Sequence, residues 1–122
     1  MKFYHCKHCG NIVTYVEDHG PRIVCCGDEM EEMTPDTVDT SKEKHVPVVT
    51  VSGNNVTVKV GSVAHPMTEE HHIGWIALHT KAGCQRKKLN HTGAPEAHFA
   101  LADGDEMVAA YAYCNLHGLW KA

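Results

Sequence analysis

Hydrophobic and polar positions alternate most clearly in the middle of the chain. Val56-Thr57-Val58-Lys59-Val60 alternates with period two, and the stretch His45-Val46-Pro47-Val48-Val49-Thr50-Val51 before it is rich in β-branched residues. Ser52-Gly53-Asn54-Asn55 supplies the turn between them, so the pair predicts a hairpin. Ile73 to Thr80 and Ala97 to Leu101 are further predicted strands. So is Met107 to Tyr113, bounded by Asp103-Gly104-Asp105 and by a loop at Cys114. No long segment carries helical periodicity with caps. About five to seven short strands at turn-marked spacing predict a β-sandwich over residues 37–122. Residues 1–36 hold no comparable apolar pattern and contain four of the six cysteines. That piece is too small to bury a useful core, so a metal is expected to organise it. Thr34-Pro35-Asp36-Thr37 reads as the linker, continued by Thr40-Ser41-Lys42. The expected fold class is all-β: a small metal-binding domain followed by a sandwich.

Composition narrows the function. The chain has 122 residues, 7% aromatics and a formal charge of -4, and its only basic run is Arg86-Lys87-Lys88. A nucleic-acid partner is not expected. No stretch approaches the ~20 apolar residues of a membrane span, so no membrane partner is expected either. Met1-Lys2-Phe3-Tyr4-His5-Cys6 lacks an apolar signal core, which places the protein in the cytoplasm, where thiols stay reduced. Six cysteines and eleven histidines are then better read as metal ligands than as disulfides.

Two ligand sets stand out. The first is Cys6-x-x-Cys9 with the adjacent pair Cys25-Cys26, followed by Gly27. Neighbouring side chains on an extended backbone point apart, so both can reach one ion only where the chain twists sharply, and Gly27 helps supply that freedom. Four thiolates accept zinc or iron, and spacing does not decide between them. The second set is His45, His65, His71, Cys114 and His117. Pro47 and Pro66 sit just after His45 and His65 and restrict the backbone there. Cys114 and His117 lie three positions apart on a loop after an apolar strand. Four imidazoles and one thiolate make a five-coordinate site with one open position, which suits redox iron better than structural zinc. Glu43 and Lys44 precede His45. A carboxylate there can bind an oxidised ion and an ammonium can attract a small anion; otherwise they are a solvated charge pair. His5, His8, His19, His79, His91 and His98 read as ordinary surface or core histidines, and Cys84 as a buried or free thiol.

These motifs together closely resemble desulfoferrodoxin, the two-iron superoxide reductase family. The resemblance rests on Cys6-x-x-Cys9-Gly10-Asn11, Cys25-Cys26-Gly27, Glu43-Lys44-His45-Val46-Pro47, His65-Pro66-Met67 with His71, and Cys114-Asn115-Leu116-His117-Gly118-Leu119-Trp120. It runs from Tyr4 to Lys121. It implies a desulforedoxin-like domain with an iron–tetrathiolate centre and an immunoglobulin-like sandwich. The catalytic iron would be held by His45, His65, His71, His117 and Cys114, giving two Fe ions per chain. It further implies superoxide as substrate, hydrogen peroxide as product, Glu43 and Lys44 beside the open position, a rubredoxin-like electron donor and a homodimer. The chain departs from the family by carrying His72 where Tyr is common and Gly74 where Glu is common. His72 is therefore a rival ligand to His71, whose spacing from His65 matches the family. Other readings of the residues are a two-centre electron-transfer protein without substrate, a zinc-stabilised interaction module, and a dismutase that also releases dioxygen.

Overall fold

The computed structural model describes residues 1–122, which form two compact units, Met1–Thr34 and Pro35–Ala122. The first is built from five two-residue strands, β1 (Tyr4–His5), β2 (Ile12–Val13), β3 (Val24–Cys25), β4 (Asp28–Glu29) and β5 (Glu31–Glu32). They pair antiparallel as β2-β1-β5 and β3-β4. Only Tyr4, Cys6 and Met30 form its buried cluster, with Val13, Tyr15 and Cys25 packed against it. One of three core residues is thus a cysteine of the candidate metal set. So small a core favours stabilisation by a metal.

The second unit is a sandwich. A helical turn, α1 (Lys42–His45), leads into β6 (Pro47–Ser52), β7 (Asn55–Val60), β8 (Ile73–Thr80), β9 (Gly83–Lys88), β10 (Glu96–Ala100), β11 (Met107–Cys114) and β12 (Gly118–Lys121). One sheet has the order β10-β7-β6 and the other β12-β11-β8-β9. Alternation sets the inner faces: Val56, Val58 and Val60 of β7, Ala97 and Phe99 of β10, Ile76 and Leu78 of β8, and Ala110, Ala112 and Cys114 of β11 meet in one core. The β6–β7 hairpin turns on two residues, because Ser52 pairs with Asn55. Gly53 takes φ 57° there, as the first position of a II′-type turn demands.

Three elements differ from the sequence expectation. His45 lies in α1 and not in a strand. Its segment is too short to show a helical period. β9 carries Gln85-Arg86-Lys87-Lys88 on the sheet edge, where near-complete exposure leaves no apolar pattern and lysines guard an open edge. β12 is set by the hairpin after Cys114, with Cys114 paired to Gly118.

Candidate metal centres

In the first unit a tight knuckle brings Cys6 and Cys9 to one side. The Cys6 N–H donates to Asn11 O and the Gly10 N–H to Cys6 O, both at 2.9 Å. The adjacent pair is solved by a turn. Cys25 pairs with Asp28, which leaves Cys26 and Gly27 as the two turn residues, at φ 52° and 83°. Successive left-handed residues are the hairpin geometry that matches strand twist. Cys26 itself takes a conformation unusual for a side-chain-bearing residue, and that rotation swings its sulfur to the same point as Cys25. All four sulfurs lie within 4.8 Å of one another. His8, an ordinary surface residue by sequence, pairs with Asp28 at 2.5 Å and clamps the knuckle to the hairpin.

The charge balance of this cluster points to a cation. The Cys9 backbone N–H pulls the Cys6 thiol down to about 6. Cys25 is pushed up, first by its contact with the Cys6 sulfur. Cys26 is pushed up to about 12, by the Cys9 sulfur before those of Cys6 and Cys25. Four thiolates this close repel one another, and a bound metal ion removes that repulsion.

In the second unit the loops at one end of the sandwich bring His45, His65, His71, Cys114 and His117 together, with one donor atom of each within 4.8 Å of the others. His45 closes α1, and His65 ends the loop after β7, where its N–H donates to Val60 O at 2.8 Å. His71 precedes β8. Here β8 and β11 shift register, so that Tyr113 faces Trp75 but Cys114 faces Ile73. Gly74 is the extra residue. The bulge turns Ile73 into the core and aims the fully buried Cys114 beside it.

The rings form a square. Centroid separations run 4.6 Å for His45–His65, 4.7 Å for His65–His71, 5.0 Å for His71–His117 and 4.9 Å for His117–His45. The His45–His71 diagonal is 6.4 Å. Neighbouring rings stand at 76° to 85°, an arrangement for pointing four lone pairs at a centre and not for stacking. The tautomers are set from outside. His45 Nδ1 donates to Ser41 O at 2.6 Å and His65 Nδ1 to Pro66 O at 2.7 Å. Both Nε2 atoms are then bare acceptors, yet they face each other at 3.1 Å. His117 Nδ1 lies 3.1 Å from His45 Nε2 and 3.8 Å from Cys114 Sγ. His71 Nε2 is buried without any partner. Converging lone pairs and an orphaned buried nitrogen are costly in a closed protein and satisfied by a metal cation.

Burial supports this. It depresses His45 and His71, and His65 to about 4, which favours the neutral, metal-binding form of these three rings. Burial also raises Cys114, against the backbone N–H groups of Leu116 and His117. A buried thiol of this kind ionises when a cation sits beside it. Trp120, fully buried, stacks on His45 at 4.9 Å and donates through Nε1 to His117 O at 3.2 Å. It fixes two ligands at once.

His72 points elsewhere. Its Nδ1 donates to Thr68 O at 2.9 Å and Glu69 O at 3.1 Å, and its ring faces His91 in a separate cavity with Lys88 and Asn90. Glu43 and Lys44 are exposed on α1. The backbone N–H of Glu43, then the Ser41 hydroxyl, hold its carboxyl below the usual range, although Ser41 Oγ has no partner at full hydrogen-bond distance. The Lys44 charge is felt at both His45 and His71. Cys84 is exposed on β9, a free thiol and not a buried one. The ring-orienting roles of Ser41 and Trp120 were not visible in the sequence. Trp120 at least sits inside the Cys114 motif, but the Ser41 carbonyl carries no side-chain signal.

Comparison with known proteins gives the same two parts. Residues 37–122 match the family model "Desulfoferrodoxin" and residues 1–33 match "Desulfoferrodoxin, N-terminal domain". A desulfoferrodoxin homolog of Archaeoglobus fulgidus is 48% identical over 122 residues, covering 100% of this chain and 96% of the relative. The desulfoferrodoxin of Nitratidesulfovibrio vulgaris is 48% identical over 121 residues, covering 99% and 94%. The crystal structure of the superoxide reductase from Treponema pallidum superposes with a TM-score of 0.84 at 44% identity, covering 99% of this chain and 97% of that one.

Proposed function

This chain belongs to the desulfoferrodoxin family, and on that premise we propose that it is a superoxide reductase. It adds one electron and two protons to superoxide, giving hydrogen peroxide and no dioxygen. The observation that carries the reading is the square of four imidazoles with a buried thiol, five donors within 4.8 Å. His45, His65, His71, His117 and Cys114 would hold the iron, which would supply one-electron redox chemistry there. A second iron bound by Cys6, Cys9, Cys25 and Cys26 makes two per chain.

The protein's own residues do the rest. The fully buried Cys114 would bring its thiolate from the core, and the anionic substrate would approach from the exposed surface that carries Lys44. Lys44, exposed and felt at His45 and His71, draws in the anionic substrate against the overall charge of -4. It also holds water from which protons reach the reduced product. Glu43 keeps a charged carboxylate on α1 beside His45, where it would bind an oxidised ion. We assign a rubredoxin-like electron donor and a homodimeric assembly on the strength of the resemblance, and a cytoplasmic location because six free thiols suit a reducing compartment.

The test combines metal content with product analysis. Two irons per chain, and one peroxide per superoxide when a reduced donor is present, support the reading. Dioxygen release at one per two superoxides would make it a dismutase. Zinc in both sites would end the redox reading.

A further inference from the structure

Asn115 lies on the loop that carries Cys114 and His117, and it is exposed, so burial gives it no purpose. Its polar groups nevertheless all go to one short segment. Its side-chain Oδ1 accepts the His72 N–H at 2.9 Å and its Nδ2 donates to Glu70 O at 2.9 Å. Its backbone N–H donates to His72 O at 3.2 Å. Those partners flank His71 on both sides. The amide orientation is fixed by chemistry, since a backbone N–H must donate and a carbonyl must accept.

His71 needs such support more than His45 and His65. His45 and His65 each have a ring nitrogen tied to a carbonyl. The His71 ring has its Nε2 orphaned. Its main chain is bonded to Thr68, with its N–H on Thr68 Oγ1 at 3.1 Å and its carbonyl accepting the Thr68 N–H at 2.9 Å. The contacts of His72 Nδ1 with Thr68 and Glu69, and of the Ile73 N–H with Met67 Sδ, stay within the same loop. Such bonds shape the loop but cannot place it against Cys114. Met67 and Ile73 anchor the two ends of the segment, by packing on the core and by the Ile73–Cys114 ladder pair, but Thr68, Glu69 and Glu70 between them are exposed and packing does not hold that stretch.

We propose that Asn115 is a positioning residue for the five-donor site: its carboxamide clips Glu70–His72 to the Cys114 loop and so sets His71 Nε2 relative to Cys114 and His117. The inference rests on the metal-site reading. It requires a donor and an acceptor on two separate atoms of a short arm, which the Asn115 carboxamide provides.

The iron-loaded protein and its Asn115→Ala and Asn115→Asp variants are compared in three ways: amide hydrogen exchange, iron release to an excess chelator, and the visible spectrum of the oxidised site. Asn115→Ala should speed exchange at the His72 amide, accelerate iron release by about tenfold or more, and shift the oxidised spectrum. Asn115→Asp keeps the acceptor for His72 but loses the donor to Glu70, so it should fall between wild type and Asn115→Ala. Exchange at the amides of Val46 and His65, bonded on the other side of the site to Lys42 O and Val60 O, should not change. Equal acceleration at those amides would mean general loosening and would overturn the proposal. So would unchanged exchange at His72 together with unchanged iron release. Superoxide turnover is not among the readouts, so failure here leaves the reductase reading standing. Conversely, His72 exchange in the metal-free protein still tests the clip if that reading fails.

Discussion

At the scale of single residues, the sequence favoured His71 over His72 only through its spacing from His65, because the two are adjacent and equal as chemistry. The backbone decides between them, sending one ring to the site and the other to the His91 cavity. His71→Ala should therefore remove the second iron and its activity, with His72→Ala leaving iron content within error of wild type. Metal analysis of both variants checks this, and loss of iron in His72→Ala alone would reverse the assignment. Lys44 offers a second test. Its exposed charge beside the ligands should speed the encounter with superoxide in a salt-dependent way. Pulse radiolysis across a salt series should show the wild-type rate falling with ionic strength and the Lys44→Ala rate falling less. Glu43→Ala should leave that first step nearly unchanged and alter the oxidised spectrum. Equal salt slopes in wild type and Lys44→Ala would return Lys44 to a solvated surface role.

At the scale of elements, the site depends on close approach between α1 and the loop after β7. Glu43 O accepts the Val63 N–H at 2.9 Å and the Ser62 hydroxyl at 3.2 Å. Gly61 lies beneath them, and a Cβ there would sit 2.5 Å from Glu43 O and 3.0 Å from Val46 O. Both are backbone atoms that cannot turn aside. Gly61→Ala should then displace α1 with Glu43, Lys44 and His45 together. Overpacking of this kind costs about 1–3 kcal/mol, which denaturant titration would measure, and metal affinity should fall about 10- to 100-fold. Unchanged iron affinity would show that α1 adjusts freely. The signal for this contact was weak, because a lone glycine in a loop reads as a turn residue until its neighbours in space are known.

At the scale of the whole molecule, the ligand sets fall in separate compact units, each with its own buried cluster. Cys26→Ser should thus remove the tetrathiolate spectrum and leave superoxide reduction largely intact. Cys114→Ser should abolish reduction and leave the tetrathiolate spectrum. Stopped-flow assays with spectra of each variant would check this, and joint loss of both centres in either variant would argue against independent sites.

Much of this was legible in the chain. The period-two runs of β7 and β10 state which residues face the core, since strand geometry makes alternation a direct record of burial. The ligands sit in short local motifs whose residue types restrict the chemistry they can do. Edge strand β9, helical turn α1 and the bulge at Gly74 were not legible, because near-complete exposure, a single turn and a register shift leave no period to read. The tertiary structure alone decided the order of the imidazoles around the square and which ring nitrogens face inward. It also decided that Cys26 could join Cys25 at one ion. Those outcomes depend on where separate loops meet and on which carbonyl lies behind each ring, distances that no local pattern of residues encodes.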